Sequence, residues 1–379
     1  MELFFGIIIG LVILVFLVVA HELGHAISAS RNGVVVEEFG IGLPPQAWKK
    51  KLKNKVLFTI NWLPIGGYVK LQGEHDAANK KGDYGAATFM QKTKILLAGV
   101  AMNWLVAAIL LTTLALTGMP KILPDQVSIA GDSKSVLQSV ELISLTKDHA
   151  AEKAGLKAGD NVIRFAGHEV PTASRLIELT KEYKGKKVEI IFSRKGVEKT
   201  LNVTLGDAAS GGYLGASLGQ REFVKSTWSA PIVGVATTAQ FTWVTLQGTG
   251  QMLGNLVNGL IFQLSPEAKV RDQASSDLKN VSDNVAGPIG IIGTIFPAAE
   301  QAGLTQLTFL TAIISLSLAV MNILPIPALD GGRWFTMAIY RLLNRKLTKE
   351  REEKIQMIGF SILMGLIVLV TFADVAKLF

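Results

Sequence analysis

Apolar residues gather along this chain in four long runs, at about 3–30, 95–118, 304–324 and 356–373. Each is close to the roughly 20 residues a helix needs to cross a hydrocarbon layer, so four transmembrane helices are expected. A fifth stretch, Thr227 to Pro266, holds no Asp, Glu, Lys or Arg but is rich in Gly, Thr and Gln. That mixture predicts a helix lying along the membrane surface or against the bundle rather than a fifth span. The first run is long for the core of a secretory signal. Met1-Glu2 supplies no positive start, and the run flows directly into HELGHAISAS, so it is read as a retained span.

Between the second and third runs the pattern changes. Over 124–219 the segments SVELIS, NVIRF, KKVEIIFS and EKTLNVTL read as short strands around one helix, TASRLIELTKEY, whose apolar face recurs at helical spacing. AAEKAGLKAGDNVIRFAGHEV adds a short helix stopped at Gly155 and tight turns at Gly159-Asp160 and Gly167-His168. Nearer the N-terminus, KVLFTINWLPIGGYVKLQG reads as two strands around an Asn-Trp-Leu-Pro turn. This hairpin, over 56–71, is too apolar for a free surface and must dip into the bilayer or pack on the spans.

The fold expected is a multi-pass α-helical membrane protein with about four transmembrane helices, a membrane-associated β-hairpin and one inserted β-rich domain. Its segments are 1–30 (first span), 31–94 (loop with the hairpin), 95–118 (second span) and 124–219 (soluble domain). There follow 220–303 (amphipathic linker), 304–340 (third span), 341–355 (basic loop) and 356–379 (fourth span and C-terminus).

Composition agrees with a mixture of spans and a soluble part: 379 residues, 49% hydrophobic, with a mean hydropathy of +0.37. Cysteine is absent, which removes disulfides, thiolate metal sites and a catalytic thiol, so a metal here must rest on His, Asp or Glu. The net charge of +8 does not point to nucleic acid, because the basic residues bunch beside apolar runs. Lys49, Lys50, Lys51, Lys53 and Lys55 lie in one short loop, and Arg341, Arg345, Lys346, Lys349 and Arg351 in another. The positive-inside rule puts both loops in the cytoplasm, and an even number of spans puts both termini and the soluble domain on the other side.

His21-Glu22-Leu23-Gly24-His25 fits H-E-x-x-H. Residues four apart share a helix face, so both imidazoles can hold one Zn²⁺ while Glu22 takes a proton from a water the ion activates. The bland alternative is a helix end with two partly solvated histidines. Against it, three ionisable groups close an apolar run at membrane depth, where they are costly and usually functional. Zinc needs a third protein ligand. Ser28 and Gln46 do not serve, Glu37 and Glu38 have no helix to present them, and Asp330 in NILPIPALDGGR is the better candidate. A turn aspartate capping the next helix is its bland reading. His75 and Asp76 sit in a polar loop and read as solvated, and His149 and His168 as surface residues of the soluble domain.

HELGH, GPIG at 287–290 and NILPIPALDGG resemble the site-2 protease family of intramembrane zinc metalloproteases, most of all its bacterial regulator of sigma E protease branch. EEFGIGLPP and LPIGGYVKLQGE extend the likeness over nearly the whole chain. AGLKAGD-x-I resembles a bacterial PDZ domain, and GYLG at 212–215 its carboxylate-binding loop. The resemblance implies a zinc endopeptidase that cuts in or near transmembrane segments, with His21, His25 and Asp330 as ligands and Glu22 as general base. It also implies that Asn322 hydrogen-bonds the substrate backbone, and that the hairpin, with Gly66, Gly67 and Tyr68, pairs with an unwound substrate as an added strand. Implied partners are membrane-protein substrates such as anti-sigma factors or signal-peptide remnants, the lipid bilayer, and a C-terminal peptide on the PDZ-like domain; no nucleic acid is implied. The implied location is a bacterial plasma membrane. Two rival classes are a membrane metal transporter, which would not need Glu22, and an inactive PDZ scaffold, which would not need an intact ligand set.

Overall fold

One long uninterrupted apolar helix opens the chain, because nothing in 3–30 breaks it before Gly33, which takes φ +79°. A computed structural model describes residues 2–194, 196–206, 212–284 and 286–376. The chain starts with α1 (Glu2–Arg31), β1 (Val36–Lys51), β2 (Leu57–Leu71) and α2 (Phe89–Thr117). It continues with β3 (Met119–Pro120), β4 (Lys134–Leu137), β5 (Val140–Leu145), α3 (Ala150–Lys153), β6 (Asn161–Phe165) and β7 (His168–Glu169). Next come α4 (Ala173–Glu182), β8 (Lys187–Arg194), β9 (Val197–Thr204), β10 (Ala216–Gly219) and β11 (Glu222–Lys225). The remainder is helical: α5 (Ala230–Phe262), α6 (Ala268–Asn284), α7 (Pro288–Gly290), a π-helical turn (Ile291–Ile295), α8 (Phe296–Gln301), α9 (Leu304–Ile323), α10 (Asp330–Leu342) and α11 (Lys349–Ala376). Two units result: Met1–Thr113 with Gly234–Phe379, and Leu114–Val233.

In the first unit, four helical stretches are long and apolar enough to cross a membrane: Leu3–Arg31, Phe89–Thr117, Leu304–Ile323 and Lys349–Phe372. The third differs from the single helix expected over 304–340. It stops at Ile323, and α10 starts afresh at Asp330. Pro325 and Pro327 account for the break, since proline cannot continue the hydrogen-bond ladder and disfavours helix in the residue before it. The 33-residue α5 is not among the candidate spans and instead packs along α2. Trp104 donates to Thr242 at 3.1 Å, and a Cβ on Gly234 would meet Thr112, so the two helices run antiparallel.

The hairpin expected over 56–71 does not form. Residues 57–60 and 67–71 do not pair with each other; they flank residues 36–41 on opposite sides. Gly40 is opposite both Tyr68 and Thr59, and Ile41 opposite both Gly67 and Ile60. The resulting order is 67–71, 36–43, 57–63, 46–51. The outer pairs are antiparallel, while 38–41 and 57–60 advance in step. The physical reason lies in the missed central strand. EEFGIGLPP is a poor strand by propensity, but it supplies main-chain partners on both edges, and a self-paired hairpin would leave it unpaired.

The second unit is a β-rich domain that extends beyond 124–219. Its larger sheet has the order β10-β5-β6-β8-β9, with β7 on β6, and a separate small sheet has the order β3-β11-β4. Phe165, Leu176, Leu179, Ile190 and Phe192 are fully buried in its core. Helix α4 presents Leu176 and Leu179 to that core and is capped by Thr172, whose hydroxyl accepts from the Arg175 N–H at 3.1 Å.

Candidate metal centre

One helical turn separates His21 from His25 on α1, so both rings leave the same face. Two glycines let α2 come close enough to back them. A Cβ on Gly24 would strike the Ala98 carbonyl, and a Cβ on Gly99 would stand 2.7 Å from His21 Nε2 and run into His25 Nε2. Asp330 arrives from the opposite direction as the first residue of α10, where a carboxylate also suits the positive end of the helix. Gly331 and Gly332 permit that approach, since a Cβ at either would overlap the main chain of 323–327.

The three side chains converge. His21 Nε2 and His25 Nε2 lie 3.0 Å and 3.1 Å from the same Asp330 oxygen, Oδ2, and 3.1 Å from each other. His25 Nδ1 is 2.8 Å from the Ile95 carbonyl. A carbonyl only accepts, so Nδ1 of His25 carries a proton, and in the neutral ring that a metal ligand requires Nε2 directs its lone pair toward Asp330. Both histidines are buried.

A divalent metal fits this donor set. Tetrahedral zinc with bonds of about 2.0–2.2 Å holds its ligand atoms roughly 3.3–3.6 Å apart, a few tenths of an ångström beyond the separations here. Among the described residues this is the only group of three His, Asp or Glu that could share an ion. The bond from His25 to Ile95 is the kind of outer contact that orients a metal-ligating imidazole. Its counterpart on His21 is missing: His21 Nδ1 and both amide atoms of Asn103 are buried with no hydrogen-bond partner among the described residues.

Glu22 lies on the flank of the same helix, half-buried, with the main-chain N–H of Val69 facing its carboxylate. The strand at 67–71 passes close by. A Cβ on Gly67 would stand 3.7 Å from Glu22 Cγ and 3.6 Å from Val18. On its other side that strand pairs with 36–41, so its edge toward α1 has no strand partner among the described residues. Gly66 takes φ +83° just before it. The Tyr68 hydroxyl donates to Glu38 Oε1 at 2.6 Å, and the Thr59 hydroxyl reaches the same oxygen at 2.9 Å. Asn322 is not drawn into the cluster: its amide donates to the Leu318 carbonyl of its own helix at 3.0 Å.

A cavity of about 630 Å³ opens onto Asp330 and is walled by polar side chains, among them Glu37, Lys70, Glu74, Arg333 and Gln356. Arg333, one turn beyond Asp330, ties this wall together through Glu74 at 3.3 Å, Glu352 at 3.2 Å and the Tyr84 ring at 4.7 Å. Asp76 belongs to the same side and is not the solvated loop residue expected. Its carboxylate pairs with the buried Lys92, and its N–H donates to Glu352 at 2.8 Å. Neither the Ile95 carbonyl nor Gly99 stands out as a site residue in the sequence. A glycine inside an apolar helix costs about 1 kcal/mol against alanine, and that was the available signal.

Comparison with known proteins agrees with this geometry. The model of peptidase family M50 matches residues 9–366. A Clostridium perfringens relative is 30% identical over 361 residues, 95% of each chain. A Geobacillus kaustophilus relative named zinc metalloprotease RasP is 26% identical over 443 aligned residues, 96% of each chain. A solved PDZ domain from Listeria monocytogenes is 21% identical over 24% of this chain and 93% of that one, with a TM-score of 0.20.

Proposed function

Because this chain belongs to peptidase family M50, we propose that it is a zinc-dependent endopeptidase acting within the membrane on proteins that carry transmembrane segments. The observation that carries the reading is the meeting of His21 Nε2, His25 Nε2 and Asp330 Oδ2 within 3.1 Å of one another, beside Glu22 and on a helix apolar enough to span. In this reading those three atoms are the protein ligands. When bound, zinc would polarise the scissile carbonyl and make water a competent nucleophile at neutral pH.

The residues of the chain supply the rest. Glu22 takes the proton from the attacking water and passes it to the leaving amine. The free edge of residues 67–71 receives the substrate. A peptide bond inside a helix is shielded by its own hydrogen bond, and a substrate that unwinds recovers lost main-chain partners by joining that edge as a further strand. Gly67 keeps the edge close to α1, Gly66 turns the chain into it beside Leu43, and Tyr68 pins it to Glu38. Asn322 offers an amide to the substrate main chain once it exchanges its bond to Leu318. The polar cavity beside Asp330 serves as the water route. The basic loops face the cytoplasm, and the β-rich domain, read as PDZ-like, lies on the other side with a C-terminal peptide as its ligand.

The test is cleavage of a tagged single-span substrate by purified protein in detergent, wild type against Glu22→Gln. The variant is expected to lose about 10²–10⁴-fold in rate while keeping its zinc. Equal cleavage by both forms would remove Glu22 from the mechanism. Zinc bound by both with no cleavage by either, combined with zinc flux in liposomes, would instead identify a transporter.

A further inference from the structure

A second cavity, of about 740 Å³, lies away from the metal centre, at the end of α10 and the first turns of α2 and α11. Five cations line it (Lys92, Arg341, Arg345, Lys346 and Lys349) against two carboxylates, Asp76 and Glu350. Part of that charge is already used: Lys92 pairs with Asp76, Lys349 lies 3.8 Å from Glu353, and Arg341 stacks over the Phe89 ring at 5.1 Å. Arg345 and Lys346 are exposed and have no ion pair among the described residues.

The site carries a net positive charge with at least two uncommitted donors. Lys92, at 6% exposure, is already matched by Asp76 and leaves the exposed cations to set the charge of the hollow. Its level relative to the bilayer follows from the helices around it: two of the four candidate spans, Phe89–Thr117 and Lys349–Phe372, begin at its wall. Beside it the surface turns apolar. Met90, Ile339, Leu342 and Leu343 are 61%, 51%, 82% and 58% exposed. A charged hollow flanked by bare aliphatic side chains, at the level where spans enter the membrane, matches an amphiphile with a phosphate head and acyl tails.

We propose that this cavity binds the phosphate headgroup of an anionic phospholipid. Arg345 and Lys346 hold the phosphate, Arg341 and Lys349 flank it, and the acyl chains lie over Ile339, Leu342, Leu343 and Met90. The bound lipid bridges the α10–α11 loop to the start of α2 and thereby fixes the cytoplasmic ends of two spans. Since α10 begins at Asp330, the same lipid braces the element that carries that residue.

Native mass spectrometry of the detergent-solubilised full chain, titrated with phosphatidylglycerol, tests the site. Each cation near a membrane surface adds about a factor of five to anionic-lipid binding. Arg345→Gln combined with Lys346→Gln is therefore expected to bind phosphatidylglycerol roughly thirtyfold more weakly. The single Lys346→Gln variant should fall in between and serves if the double variant does not fold. Phosphatidylcholine should bind weakly and equally to all forms. Lys181→Gln with Lys187→Gln, which removes two charges from the other unit, should bind as wild type does. Unchanged binding by the double variant, equal binding of the two lipids, or an equal loss in the control pair would overturn the site. Displacement of phosphatidylglycerol by inorganic phosphate at equal concentration would show a soluble anion to be the occupant and overturn the lipid assignment.

Discussion

Asp330 in one unit and Asp160 in the other are carboxylates set among basic groups, yet their surroundings differ in kind. Asp160 is fully buried, and donors meet both of its oxygens: Arg194 Nε at 2.6 Å, Arg194 Nη2 at 2.7 Å and the Lys157 N–H at 2.8 Å. Burial by itself would raise the pKa of its carboxyl. The Arg194 guanidinium and the Lys157 N–H more than reverse that and hold it below the ordinary carboxylate range. Asp330 instead shares one oxygen between two imidazole nitrogens that themselves face each other, while the far nitrogen of His25 is taken by the Ile95 carbonyl. The first arrangement is closed and needs nothing further. The second brings three atoms that can ligate a metal to one point, which a structural ion pair does not need.

The difference can be tested by removing one member at each place. Asp330→Ala should abolish zinc binding, measured by elemental analysis, and lower cleavage by about a thousandfold or more, with the unfolding midpoint of the β-rich unit unchanged. Retained zinc would show that Asp330 is only a helix cap.

Arg194→Ala should do the opposite. It leaves a buried carboxylate without its counter-ion, destabilising the β-rich unit by about 3 kcal/mol while cleavage of a short single-span substrate persists. The pH dependence follows from the sign of the shift. A carboxyl held low in the folded state contributes stability that is fully present above its unfolded value and lost as pH falls through its folded one. The protection of amides in 140–205 against hydrogen exchange, taken relative to the intrinsic rate at each pH from 6 to 3, should therefore fall in wild type at the acid end, and Asp160→Asn should flatten that dependence.

A smaller effect is expected where the metal centre is only crowded. Gly99→Ala places a methyl against both imidazoles and should weaken zinc affinity about 10–100-fold in a chelator competition, with the ligands themselves untouched. Gly155→Ala, at φ +88° with open space around it, should cost only about 1 kcal/mol of stability and leave zinc alone. Smallest is Tyr68→Phe. Loss of the 2.6 Å bond to Glu38 should raise KM a fewfold, about 1 kcal/mol, without changing kcat. A fall in kcat instead would put the hydroxyl in the chemistry.

Some of this was legible before any folding was considered. A run of twenty apolar residues can satisfy its main chain in lipid only as a helix, so four helices long and apolar enough to span followed from composition. The spacing of His21 and His25 placed both rings on one face of whatever helix formed there. Turns such as Gly159-Asp160 announced themselves through residues that tolerate φ above zero. These are local rules, in which each residue constrains only its near neighbours along the chain.

What the tertiary structure decided depends on partners distant in sequence. EEFGIGLPP became a central strand because 57–60 and 67–71 supplied both its edges, against its own propensity. The distance that makes Asp330 a candidate ligand spans 309 residues and hangs on a break at two prolines and on glycines that let helices touch. Asp76 looked solvated until the buried Lys92 and Glu352 were brought to it. Helix and turn were written in the sequence because their hydrogen bonds close within a few residues. Strand partners, the third ligand and the filling of buried polar groups were not, because each is settled only when separate segments compete for the same space and the same donors.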